Sequence, residues 1–166
     1  MSYFQEQLTK GGPVSATIEL LGQQHQEVLA RLSAVEHAPL PGSGAGVIAD
    51  LVRYLEREVL DHFIVEEQAL FPVLERHLNR AQGPLAVMDA EHATVRELME
   101  DLAAALRSGD VGQQQHRTYE IISLLRDHIA KEDHVLFPMA AQLLSAEERA
   151  EVDSRAAAIR PSAAPG

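Results

Sequence analysis

His62-Phe-Ile-Val-Glu-Glu-Gln-Ala-Leu-Phe-Pro72 returns later in the chain as His128-Ile-Ala-Lys-Glu-Asp-His-Val-Leu-Phe-Pro138. Both copies hold His-x-x-x-Glu, followed at the same offset by Leu-Phe-Pro. The segments upstream also pair, since Leu21-Gly-Gln-Gln-His25 matches Met88-Asp-Ala-Glu-His92 at almost the same offset. The chain therefore reads as two helical hairpins. Each supplies one histidine from its first helix and His-x-x-x-Glu from its second.

Helical spacing puts these residues on the inner faces. Leu55, Val59, His62, Glu66 and Leu70 advance by three or four and form one stripe, as do Ile121, Leu125, His128, Glu132 and Leu136. His25 falls between Leu21 and Leu29, and His92 between Met88 and Val95. All six polar residues thus point into an apolar seam. A buried, unpaired carboxylate is costly to desolvate, and a second one nearby adds repulsion. A metal cluster removes both problems. Side chains four apart on a helix lie roughly 5–6 Å apart at Cβ, so an imidazole and a carboxylate can reach one cluster. Imidazole and carboxylate donors without sulfur suit iron or manganese, with zinc a further option.

Outward from the repeat, the pattern is helical throughout. Ser15 can cap a helix carrying Ile18, Leu21, Val28, Leu32 and Val35. A Pro/Gly-rich loop over residues 37–46 precedes a second helix from about Val47 toward Arg80, with a kink or break at Pro72. Pro84 opens a third helix. A fourth runs from about Gln113 to Leu144, interrupted near Pro138. Ser145-Ala-Glu-Glu148 is a capping-box signature for a short fifth helix. The expected fold is all-α: an antiparallel up-down-up-down four-helix bundle with a short extra C-terminal helix. Its divisions are a leader over 1–14, the bundle over 15–144, the short helix over 145–159 and a loose tail over 160–166.

Composition narrows the function. The 166 residues suit one domain, and the absence of cysteine removes disulfides, thiolate sites and iron–sulfur clusters. A net charge of -11 with 4% aromatics argues against nucleic acid and against anionic membrane surfaces. No run approaches the ~18 apolar residues of a spanning helix, and the N-terminus lacks the pattern of a secretory signal. A cytoplasmic location is the default expectation.

At these motifs the sequence resembles the hemerythrin-like, or HHE cation-binding, family in its H-HxxxE-H-HxxxE arrangement, over roughly residues 15 to 142. The resemblance implies a di-iron centre. His25 and His62 would bind one iron, and His92 and His128 the other. Glu66 and Glu132 would bridge the two irons beside an oxo or hydroxo group. Oxygen-carrying hemerythrins use five terminal histidines, with a His-x-x-x-His pair on the third helix; here Met88 stands four before His92. Their second bridging carboxylate is an Asp five residues after its histidine, whereas Glu132 follows His128 by four. Coordination positions are left for water or a small ligand. Tyr54 and Glu58, one turn before His62, are candidate near-site groups. His37, His116 and His134 read as bystanders, and His77 continues the seam beyond Pro72.

The functional expectation is a protein reacting with small oxidants such as peroxide, nitric oxide or O₂, fed by an electron donor that the sequence does not identify. The alternatives are a non-catalytic O₂ carrier or sensor, an iron store, and a metal-free structural bundle. The tail is a candidate docking element for a partner.

Overall fold

The computed structural model describes residues 14–38 and 44–159, and the regular elements among them are all helical. Helices α1 (Ala16–Glu36), α2 (residues 44–74), α3 (Pro84–Ser108) and α4 (residues 111–143) form the antiparallel bundle; α5 (Ala146–Ala158) follows. The leader expected over 1–14, apart from Val14, and the tail over 160–166 lie outside the described residues. So do residues 39–43 of the first loop.

Local chemistry sets the helix ends. The Ser15 hydroxyl accepts from the Ile18 amide, and Asp110 caps α4, which starts at Val111, two residues before the expected Gln113. Gly83 and Gly109 flank α3 with φ of 78° and 71°, a region costly for any residue with a Cβ. Pro84 takes the first turn of α3. Ser145 and Glu148 complete both halves of the predicted capping box.

The prolines act differently from the expectation. Pro72 and Pro138 break neither helix; each follows a π turn, Glu66–Leu70 and Glu132–Leu136. These turns close from the Phe71 amide to the Glu66 carbonyl and from the Phe137 amide to the Glu132 carbonyl. Proline lacks an N–H and crowds the carbonyl four residues back, and a wider turn accommodates both defects. Helix α2 then ends at Leu74 rather than near Arg80, so His77 is not on the seam. It is exposed, and its Nε2 lies 2.9 Å from Glu148 on the α5 side.

Two apolar clusters fill the bundle. One contains Val28, Leu32, Phe63, Val95, Ile121 and Leu125. The other contains Leu21, Leu70, Phe71, Met88, Leu136 and Phe137, and it is closed by Val152 of α5. Leu70, Phe71, Leu136 and Phe137, the Leu-Phe pairs of the repeat, thus seal one end. Asp153 of α5 accepts from Ser15 Oγ at 2.6 Å and from the Thr17 amide at 2.9 Å, tying the fifth helix to the start of the first. Along every bundle helix the chain passes from one cluster to the other. The polar residues of the repeat sit at that crossing.

Candidate metal centre

All six sequence-predicted residues meet there. His25, His62, Glu66, His92, His128 and Glu132 are each 5% exposed or less, although they come from four helices. They form two overlapping quartets: His25, His62, Glu66, Glu132 and Glu66, His92, His128, Glu132. Within each quartet the donor atoms lie within 4.8 Å of one another, and both glutamates are shared. The Glu66 oxygens face His62 Nε2 and His92 Nε2, each at 3.3 Å. Glu132 Oε2 lies 3.1 Å from His25 Nε2 and 3.3 Å from His128 Nε2. Each carboxylate therefore faces one histidine of either hairpin.

The outer edges of the imidazoles fix which nitrogen is available. His25 Nδ1 lies 2.7 Å from Asp133, His62 Nδ1 2.9 Å from Gln24 Oε1, His92 Nδ1 2.8 Å from Glu67 and His128 Nδ1 3.0 Å from Glu91. These acceptors require Nδ1 to carry a proton, so in the neutral ring each Nε2 is an inward lone pair. His25 Nε2 and His62 Nε2 oppose each other at 3.1 Å. Both oxygens of Glu66 and of Glu132, with Nε2 of His92 and His128, have no hydrogen-bond partner. An unsatisfied buried polar group costs about 1–3 kcal/mol, more when charged. Converging, partnerless lone pairs in a dry layer are the signature of a cation site, and the nitrogen/oxygen donor set fits a non-haem metal.

Electrostatics agrees. Burial pushes the His25 imidazole down, yet Asp133 and Glu132 raise it from 6.5 to about 9. His92 likewise rises to about 9: burial opposes, and Glu66 and Glu67 outweigh it. His128 is raised against burial by Glu132. Burial would raise the Glu66 carboxyl, but His62 and His92 hold it well below the ordinary carboxylate range. Without a metal the cluster recruits protons as its positive charge.

Aromatic rings close the layer. Phe63 stacks on His92 with centroids 3.7 Å apart, and Phe137 stacks on His25 at 5.3 Å. Phe71 lies 5.7 Å from His92.

Tyr54 and Glu58 are not part of this arrangement. A π turn over Leu55–Val59 widens α2 and turns Glu58 out to solvent, so the expected step from Glu58 to His62 along the seam fails. Tyr54 is half-buried against the far apolar cluster, with the Arg31 guanidinium 5.5 Å from its ring centroid. His37 bonds the Ser33 carbonyl, and His116 and His134 are exposed. The residues that sequence reasoning missed are Gln24, Glu67, Glu91 and Asp133. Each stands beside a cluster residue in the chain, and the repeat carries the signal as Gln/Glu-His and His-x-x-x-Glu-Glu/Asp.

Among the described residues no helix is long and apolar enough to cross a membrane. The chain is similar to the iron–sulfur cluster repair protein YtfE of Escherichia coli O139:H28, 32% identical over 129 residues. That match covers 71% of this chain and 58% of the relative. The proteins of that name from Citrobacter koseri (31%) and Shigella boydii serotype 18 (32%) match over the same shares. The chain thus spans 58% of the length of these curated relatives. No solved structure matches it. The model of the hemerythrin HHE cation-binding domain matches residues 16–140, and the chain belongs to that family.

Proposed function

We propose that the cluster holds two iron ions, bridged by Glu66 and Glu132 with an oxo or hydroxo group, and that the protein reacts with a small oxidant in oxidative or nitrosative stress defence. The observation that carries this reading is the pair of quartets sharing both glutamates, with their oxygens and two imidazole nitrogens left partnerless. His25 and His62 would hold one ion, and His92 and His128 the other. Four protein donors per ion leave positions free on a six-coordinate metal. Two irons held there would supply redox chemistry toward peroxide, nitric oxide or O₂.

The rest is the protein's part. Asp133, Gln24, Glu67 and Glu91 hold each imidazole with Nε2 inward. Phe63, Phe71 and Phe137 exclude water from the layer. The relatives named for iron–sulfur cluster repair favour a stress role over a carrier, sensor or iron store.

Metal content and an optical spectrum test this reading on wild type and Glu66→Ala. About two irons per chain, with near-ultraviolet bands lost in the variant, are expected. A colourless wild type that refuses iron under anaerobic reducing conditions refutes it. Consumption of peroxide or nitric oxide separates the enzyme from the O₂ carrier, which binds O₂ reversibly without turnover.

A further inference from the structure

The outer hydrogen bonds follow the internal repeat with one exception. Glu91, which precedes His92, accepts from His128; its counterpart Gln24, which precedes His25, accepts in the same way from His62 but is an amide rather than a carboxylate. Glu67 and Asp133, each following a shared glutamate, are both carboxylates. The His92–His128 half is thus backed by two carboxylates, and the His25–His62 half by one carboxylate and a neutral amide.

A second difference points the same way. Arg96 grips Glu67 through both terminal nitrogens, at 2.9 and 3.0 Å, and Lys131 pairs with Glu91. Among the described residues neither Asp133 nor Gln24 has an Arg or Lys partner. One half is clamped from outside and the other is not.

A carboxylate accepting from Nδ1 makes the imidazole a stronger donor at Nε2 than an amide does, and a fixed acceptor keeps the ring aimed. Loss of such a partner costs roughly 10–100-fold in metal affinity. Arg96 and Lys131 offset some of this negative charge. Their side chains are 36% and 44% exposed, however, so solvent screens their field while their bonds still hold the carboxylates in place.

Resting on the metal-binding reading above, we propose that the two halves of the centre are unequal. The His92–His128 half fills first and retains its ion; the His25–His62 half fills second and exchanges. Gln24 and Glu91 are the positioning residues that set the difference.

The test is a Zn²⁺ titration of the full, metal-free chain labelled with ¹⁵N-histidine, read by side-chain NMR with stepwise constants from calorimetry. The first equivalent is expected to shift Nε2 of His92 and His128, and the second that of His25 and His62. Gln24→Glu, a near-isosteric change, tightens the second step by about tenfold or more, and Glu91→Gln weakens the first by as much. Unchanged far-ultraviolet circular dichroism and an unchanged Nδ1-protonated tautomer show that each variant keeps its fold and ring orientation. Four histidines shifting together, the His25–His62 pair shifting first, or constants indifferent to both substitutions would overturn the proposal and leave the metal-binding reading intact. No shift in any of the four histidines overturns both.

Discussion

Phe63 joins the core to the centre, so truncating it probes both. The ring is 1% exposed, stacks on His92 at 3.7 Å, meets His128 edge-on at 5.5 Å, and lies under the Arg96 guanidinium at 5.5 Å. Phe63→Ala removes a buried ring and leaves a cavity, which costs about 3–5 kcal/mol. Domains of this kind have about 5–15 kcal/mol in total, so the loss is a large fraction. At roughly 2–4 °C per kcal/mol for this chain length, the melting midpoint falls by roughly 6–20 °C. Phe63→Leu keeps most of the volume but loses the ring face, and should cost about 1.5 kcal/mol or a little more. Urea unfolding of the metal-free protein, with m held constant across variants, measures both. A Phe63→Ala loss under about 1 kcal/mol would refute the packing described here. Equal losses for Ala and Leu would show that the stacked ring face, not the filled volume, is what matters.

Glycine-to-alanine changes should have opposite signs at two sites. At Gly22, inside α1 with nothing within 4 Å of an added Cβ, alanine is expected to raise stability by about 0.5–1 kcal/mol. At Gly109 the space is equally open but φ is +71°, so the same change costs about 1–2 kcal/mol; denaturation midpoints of the pair decide it. Asp153→Ala removes the tie between α5 and α1, and a loss of about 0.5–2 kcal/mol is expected by analogy with a lost cap. Burial pushes the Asp153 carboxyl up, but bonds from Ser15 and Thr17 hold it below its ordinary 3.8. The folded state then binds that proton less readily than the unfolded chain, so its contribution is complete above about pH 3.8 and fades as pH falls further. Melting curves of wild type and Asp153→Ala should therefore converge in acid. A gap that is constant from pH 7 down to pH 2 would exclude the ionised carboxylate as its source.

Helical period and duplication were enough to read the inner residues. His62 and Glu66, or His128 and Glu132, share a face because they stand four apart, and the apolar residues around them fix which face is buried. The outer residues share the duplication but not the inward-facing stripe. Gln24 and Glu91 sit beside inward histidines, pointing sideways, and they matter only because a neighbouring helix brings an imidazole edge to them. The π turns were partly legible. Pro72 and Pro138 announced a backbone defect, though not that a wider turn would absorb it without a break. The turn over Leu55–Val59 has no proline to announce it, and it is what displaces Glu58 from the seam.

The sharing of Glu66 and Glu132 bears on how the two hairpins hold together. Each quartet takes three donors from one hairpin and a carboxylate from the other, so neither hairpin alone can furnish a complete set. A bound ion therefore acts as a cross-link between residues as far apart as His25 and Glu132. Like a covalent bridge, it works partly by restricting the unfolded chain, since the closed loop is long. Removing metal should loosen the seam between the halves before either hairpin melts. A hairpin expressed alone would lack one carboxylate of its quartet and would hold metal only weakly.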